Sequence, residues 1–334
     1  MLTVKRPRII KWISRVSDYI TLIFHEDSVQ PWSVIRHSIG ILLCYKFYGA
    51  SIADYFELRL FEKTHAERKT FFTAYQAQRF ISRINGPENN LLFADKINMY
   101  CLLGSFIRRE QLVCPPENYK VFEAFMKRHR MLFYKASNAY CGSGIELWDI
   151  DHSDIQKLYE RSLEQPAVLD ELVVQHPELA RLNPDSINTV KLYTLMCGNR
   201  CIFVAAEFRM GRCGSFVDNI ERGGIAANID IKTGAVIGDA YDLQMNQYQA
   251  HPDTGVKITG FKLPNWDEIL RFTEECARAC DLAYVEWDLA IRERDCVLIE
   301  ANPNARNCGI QMGAFPVRKK QFQELERLYT ESLS

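Results

Sequence analysis

Apolar residues near the start of the chain recur every three to four positions: Ile9, Ile10, Trp12, Ile13, Val16, Tyr19, Ile20, Ile23 and Phe24. That period predicts an amphipathic helix. Further helical periods cover residues 34–48, 51–62 and 65–84, and Asn85-Gly86-Pro87 marks a stop. Residues 1–90 therefore read as an all-helical region.

Beyond residue 90 the period changes. Short β-rich runs appear at 131–136, 144–148, 168–174, 189–196, 201–209, 224–231, 235–238, 284–291 and 296–301. Lys232-Thr233-Gly234 fits a hairpin turn between two of them. Helical periods fall at 95–107, 117–128, 153–164, 265–281 and 317–331. Strand pairs and helices in this mixed order argue for an α+β fold rather than a doubly wound parallel sheet.

Composition narrows the class. The chain has 334 residues, is 47% hydrophobic and 25% charged, and carries a net charge of -1. Two or three packed subdomains fit that length. A near-zero charge gives no general attraction to nucleic acid. Eleven cysteines without a C-x-x-C pair predict a reduced, cytoplasmic protein. The apolar run Ile39 to Tyr45 is too short to span a bilayer. At the N-terminus, Lys5, Arg6, Arg8, Lys11 and Arg15 precede the first acid, Asp18. A basic amphipathic helix over residues 5–24 either rests on the inner face of an anionic membrane or packs on the rest of the protein.

Three segments carry candidate chemistry. Glu286-Trp287-Asp288 is followed by Glu300-Ala301-Asn302-Pro303. Strand alternation gives Leu298, Glu300 and Asn302 a common face on their strand, and likewise Glu286 and Asp288 on theirs. If the strands pair, Asp288, Glu300 and Asn302 converge as hard oxygen ligands suited to Mg²⁺; a solvated polar hairpin face is the plainer alternative. Leu132 to Ala136, then Gly142-Ser143-Gly144, reads as strand, Gly-containing loop, strand, with Lys135 a fixed positive charge for phosphate. It lacks the P-loop pattern, and an ordinary hairpin with a snorkelling lysine fits equally. Finally, Phe203, Ala205, Glu207 and Arg209 share a strand face by alternation, and Arg209 precedes Gly211. An arginine there either holds phosphate bidentately or forms a surface salt bridge.

In this order the motifs resemble the ATP-grasp superfamily, and more closely the sugar-transfer-associated ATP-grasp proteins. The resemblance also rests on Gln175-His176-Pro177-Glu178-Leu179, Ser186-Ile187-Asn188-Thr189-Val190, Val217-Asp218-Asn219, Gly223-Gly224-Ile225 and His251-Pro252. It implies an ATP-grasp fold of two α+β subdomains gripping ATP, spanning residues 91–175 and 176–334 after the helical region 1–90. Lys96 looks like the first ATP lysine and Lys135 like the second. Gly142, Ser143 and Gly144 resemble the phosphate-covering loop. Asp170-Glu171-Leu172-Val173 is similar to the adenine-reading hinge, with Gln175 and Glu178 as ribose partners. Arg209 matches the cation over the β/γ-phosphates. Asp288, Glu300 and Asn302 match the catalytic ligands of Mg²⁺ or Mn²⁺. Lys191 departs from the arginine expected there, which loses the bidentate fork.

The function so implied is an ATP-dependent carboxylate–amine ligase working through an acyl phosphate. Its small-molecule carboxylate and amine substrates would include a sugar, a polysaccharide precursor or a peptide-like acceptor in cell-surface glycan synthesis. A small-molecule kinase and a non-catalytic nucleotide-binding protein remain open on the same fold. His176 and His251 either line the acceptor site or shape their loops.

Overall fold

The computed structural model describes residues 8–24, 28–86, 95–137, 144–305, 309–312 and 318–333. The N-terminal layer consists of α1 (Arg8–Phe24), α2 (Pro31–Tyr48) and α3 (Ile52–Glu57). Val16, Ile20 and Ile23 of α1 are buried against Tyr55 and Phe56 of α3. Trp12 donates from Nε1 to Ser38 Oγ at 3.2 Å. Much of the apolar stripe read as a possible membrane-facing surface is thus taken up by packing within the protein.

α2 is built the other way round. Its buried positions are Ser33, His37, Ile41 and Cys44, while Trp32, Ile35, Ile39, Leu42, Leu43 and Phe47 are exposed. A small residue is required at Gly40, where a Cβ would fall 2.3 Å from the Tyr55 hydroxyl. His37 Nδ1 lies 3.2 Å from the same hydroxyl.

The stretch whose period predicts one helix over 65–84 forms two, α4 (His65–Arg68) and α5 (Ala74–Asn85). Capping boxes Thr64/Glu67 and Thr73/Gln76 give each its own start, so the second cannot continue the first. Asn85 does more than end α5. Its amide brackets the backbone of Tyr284, donating to the carbonyl at 2.7 Å and accepting from the N–H at 2.8 Å.

Next come α6 (Lys96–Ile107), β1 (Gln111–Cys114), α7 (Tyr119–Met126), β2 (Met131–Ala136), β3 (Ile145–Asp149), α8 (Ile155–Leu163) and β4 (Ala167–Glu171). The strands form an antiparallel sheet in the order β1-β4-β2-β3. Phe122, Phe125 and Met126 of α7 bury one side of it against Leu132, Tyr134 and Trp148.

The remaining elements are α9 (Pro177–Leu182), β5 (Val190–Cys197), β6 (Arg200–Met210), β7 (Ile225–Ile229), β8 (Val236–Tyr241), β9 (Gln247–Tyr248), α10 (Trp266–Arg278), β10 (Tyr284–Ile291), β11 (Cys296–Asn302) and α11 (Lys319–Ser332). The second sheet runs β11-β10-β5-β6-β7-β8-β9. Leu192, Phe208 and Trp287 on one face pack with Phe272 and Cys276 of α10 and with Met99 and Leu103 of α6. On the other face, Tyr193 and Tyr284 meet Phe80 of α5 and Phe322 of α11. Ala226 and Tyr241 meet the N-terminal layer.

Two β-bulges correct the alternation expected from sequence. The β10–β11 register pairs Asp288 with Glu300 but Leu289 with Leu298, so Ile299 is the extra residue. Leu298 consequently enters the core instead of sharing a face with Glu300. The β5–β6 register slips at Val204. Phe203 packs with the α10 side while Ala205 lies on the α5 side, so these two do not share a face.

Candidate nucleotide cleft

The two sheets face each other across a cleft with about 840 Å³ of non-atom space, open solvent included. From the first sheet it is lined by Phe133, Lys135, Ile145, Asp170 and Glu171. From the second come Lys191, Arg209, Asp288, Ile299 and Glu300. Arg109, Val173 and the loop residues Ile187, Phe216, Asp218 and Asn219 also line it. Apolar and aromatic walls thus alternate with cations and carboxylates.

Lys135 projects from β2 and ion-pairs with Asp170 on the adjacent β4. Asp170 also receives a two-pronged contact from Arg109, at 2.6 and 2.8 Å, and a hydrogen bond from Gln111 at 2.9 Å. Burial alone would raise the Asp170 pKa, but the Lys135 and Arg109 charges overcome it and hold the group at about 2. Burial in turn holds Lys135 below the ordinary lysine value, with Asp170 opposing. Arg109 also donates to the carbonyl of Leu298 on β11 at 2.6 Å.

On the second sheet, Lys191 Nζ lies 2.6 Å from Glu286 Oε1 and 2.6 Å from Asp288 Oδ1. Burial raises the Asp288 pKa to about 7; Glu286 and Glu300 push it further up while Lys191 pulls it down. Glu300 faces Asp288 across the strand pair and lies 3.4 Å from Lys96 Nζ. Arg209 is ion-paired with Glu207, two positions earlier on β6.

Among the described residues, no three His, Cys, Asp or Glu side chains gather as a metal cluster. Mg²⁺ needs none, because it takes one or two carboxylates and keeps water and phosphate for the rest. Asp288 and Glu300 meet that requirement, and the Asp288 carboxyl, raised chiefly by its burial, is one whose charged form a cation would stabilise.

Of the residues singled out from sequence, Lys135, Glu171, Val173, Arg209, Asp288 and Glu300 line this one cleft. Lys96 reaches it through Glu300. Asn302 pairs with Glu286, beyond the lining. Gly144 accepts from the Ala136 N–H at 3.0 Å; Gly142 and Ser143 lie outside the described residues.

Gln175 and Glu178 do not line the cleft. Gln175 donates to the carbonyls of Asn183 and Ser186, and its own oxygen accepts from Asn188. Glu178 pairs with Arg181 on the exposed side of α9. The hinge strand ends at Glu171, earlier than the pattern predicts, and the chain crosses to the second sheet, where the His176 N–H bonds the Ile291 carbonyl at 2.7 Å. His176 caps α9 through Nδ1, and His251 Nε2 bonds the Gly211 carbonyl at 2.8 Å. Both imidazoles are engaged in shaping loops. Sequence reasoning passed over Arg109, which has no motif around it, and left Asp218 without a role. Asp218 accepts from the Thr189 N–H and hydroxyl, fixing the loop before β5.

Two antiparallel sheets closing on such a cleft are the architecture of an ATP-grasp protein. The chain belongs to the sugar-transfer-associated ATP-grasp family, whose sequence pattern it matches over residues 75–326. No curated protein sequence matches it. Among solved structures it is similar to the ATP-grasp ligase PsnB complexed with minimal precursor, at 12% identity and TM-score 0.46, over 84% of this chain and 76% of that one. It is also similar to D-alanine–D-alanine ligase from Bacillus anthracis, at 11% identity and TM-score 0.43, over 77% of this chain and 75% of that one.

Proposed function

We propose that this protein is an ATP-dependent carboxylate–amine ligase. A carboxylate is a poor electrophile; transfer of the γ-phosphoryl group makes it an acyl phosphate, which an amine then attacks with loss of phosphate. The observation carrying this reading is that Asp288 and Glu300 stand opposite one another on paired strands and open into the same cleft as Lys135. Phosphoryl transfer is largely positioning and charge neutralisation. Arg209 and Lys135 supply fixed positive charge, one from each sheet. Phe133, Ile145, Val173 and Ile299 offer apolar walls to a base, with the Lys135–Asp170 pair beside them. Asp288 and Glu300 would hold Mg²⁺ or Mn²⁺, with Asn302 one strand pair further along. Such an ion, when bound, neutralises phosphate oxygens. The family description supports a sugar-linked substrate in glycan synthesis.

The test is incubation with ATP, Mg²⁺ and a mixed pool of carboxylates, uronic acids and amines, followed by ADP measurement and product mass. An amide formed with one ADP per product is expected. A phosphate ester as the sole product makes the protein a kinase, and no ADP release with any pool makes it a binding protein; both overturn the ligase.

A further inference from the structure

Soluble amphipathic helices bury their apolar side, and α2 does the opposite. Ser33 and His37 point into the protein, while Trp32 and Ile35 are 63% and 60% exposed and Ile39, Leu42 and Leu43 continue the same row. A contiguous exposed apolar row of this kind marks a surface that binds something. Its charge says what. α2 contains no acidic residue, and Asp18 is the one acid in α1 and α2 together. Lys11, Arg15, Arg36 and Lys46 are exposed, and among the described residues none of them forms an ion pair.

The C-terminal end of α2 opens into a depression lined by Lys46, Lys69, Arg79 and Lys319, together with Phe47 and Tyr75, and by no acidic residue. Apolar surface therefore runs directly into a basic, aromatic hollow. A protein groove would need acids at one end and hydrocarbon along the rest. An anionic bilayer offers both in register: acyl chains for the row, phosphate headgroups for the hollow and for the basic flank. Tyrosine and tryptophan at the ends of such a row suit the headgroup level. No helix among the described residues is long and apolar enough to cross a membrane, so α2 lies along the surface.

We infer that the exposed face of α2, with the basic hollow at its end, docks this protein on an anionic phospholipid surface. This is a different face from the α1 stripe, and the inference does not depend on the ligase reading. It places the protein where a lipid-anchored substrate would meet the cleft. Ile220, the residue after cleft-lining Asn219, packs in the same core as α1–α3.

The test is sedimentation of the full chain with vesicles of phosphatidylcholine alone and of phosphatidylcholine mixed with phosphatidylglycerol, at low and high salt. Binding to the mixed vesicles only, weakened by salt, is expected. The double variant Ile35→Asp/Leu42→Asp, checked for an unchanged thermal melt, loses it. Lys46→Gln and Arg79→Gln each weaken it about fivefold, the effect of one basic group near an anionic surface. Three results overturn the inference. One is absence of sedimentation with either vesicle. Another is a wild-type dimer in light scattering that the double variant abolishes while vesicle binding is nil, which makes the face a contact between copies. The third is stabilisation by inorganic phosphate, lost in Lys46→Gln, without vesicle binding, which makes the hollow a site for a free anion.

Discussion

The ammonium of Lys191 sits between Asp288 and Glu286, 2.6 Å from an oxygen of each, reaching from β5 to the neighbouring β10. One positive charge thus serves a buried carboxylate, Glu286, and a half-buried one, Asp288. Lys191→Met removes it and leaves both acids without their partner. Breaking a buried ion pair in this way costs about 3–5 kcal/mol, and denaturant unfolding in a chelating buffer should show that loss. Mg²⁺ should then raise the variant's unfolding midpoint more than the wild type's, because the cation replaces the missing charge. Equal responses to Mg²⁺ would show that the ion does not bind at these carboxylates.

Asp288→Asn and Glu300→Gln address the chemistry. Once an active substrate pair is in hand, ADP release should fall by more than about 100-fold in each, beyond the 10–100-fold typical of groups that merely support a metal ligand. Circular dichroism should confirm retained secondary structure. Near-wild-type turnover in both variants removes these residues from the reaction.

Asp170 gives the fold a pH dependence. Its carboxyl is lowered from 3.8 to about 2 in the folded protein. A depressed folded value means that the contribution is complete above the unfolded value and disappears as pH falls through the folded one. A shift of this size corresponds to about 2.5 kcal/mol at neutral pH. Asp170→Asn should accordingly be less stable than wild type at about pH 5, and that gap should shrink towards about pH 2. A gap independent of pH would mean that the carboxylate charge contributes nothing.

Asn85→Ala removes the amide that donates to the Tyr284 carbonyl and accepts from the Tyr284 N–H. Leaving a buried polar group unsatisfied costs about 1–3 kcal/mol. Thermal melting should fall clearly, and Asn85→Asp should not restore it, because a carboxylate would face the Tyr284 and Pro303 carbonyls with nothing to donate.

Much of this architecture was legible because its periods are local. The α2 and α10 helices and the β2, β5 and β11 strands announce themselves within a dozen residues. The acidic strand pair was legible for the same reason: Asp288 and Glu300 flank a short charged turn, so pairing follows once both are strands. What the chain hides is non-local. The bulges at Ile299 and Val204 shift a face without any signature residue. β1 and β9 are too short to show a period. Gln175 lies in a family-like motif beside the hinge, yet its amide is consumed in holding Asn188. Arg109 sits after a helix with nothing to mark it, and its importance arises only when β4 and β11 arrive from 61 and 189 positions away.

That guanidinium has a mechanical consequence. Its Nε and Nη2 hold Asp170 on the small sheet, and its Nη1 holds the Leu298 carbonyl on the large one. The two sheets are therefore tied together beside Lys135 and next to the bulge that precedes Glu300. A displacement of the Lys135–Asp170 pair would therefore load the strand that bears Glu300.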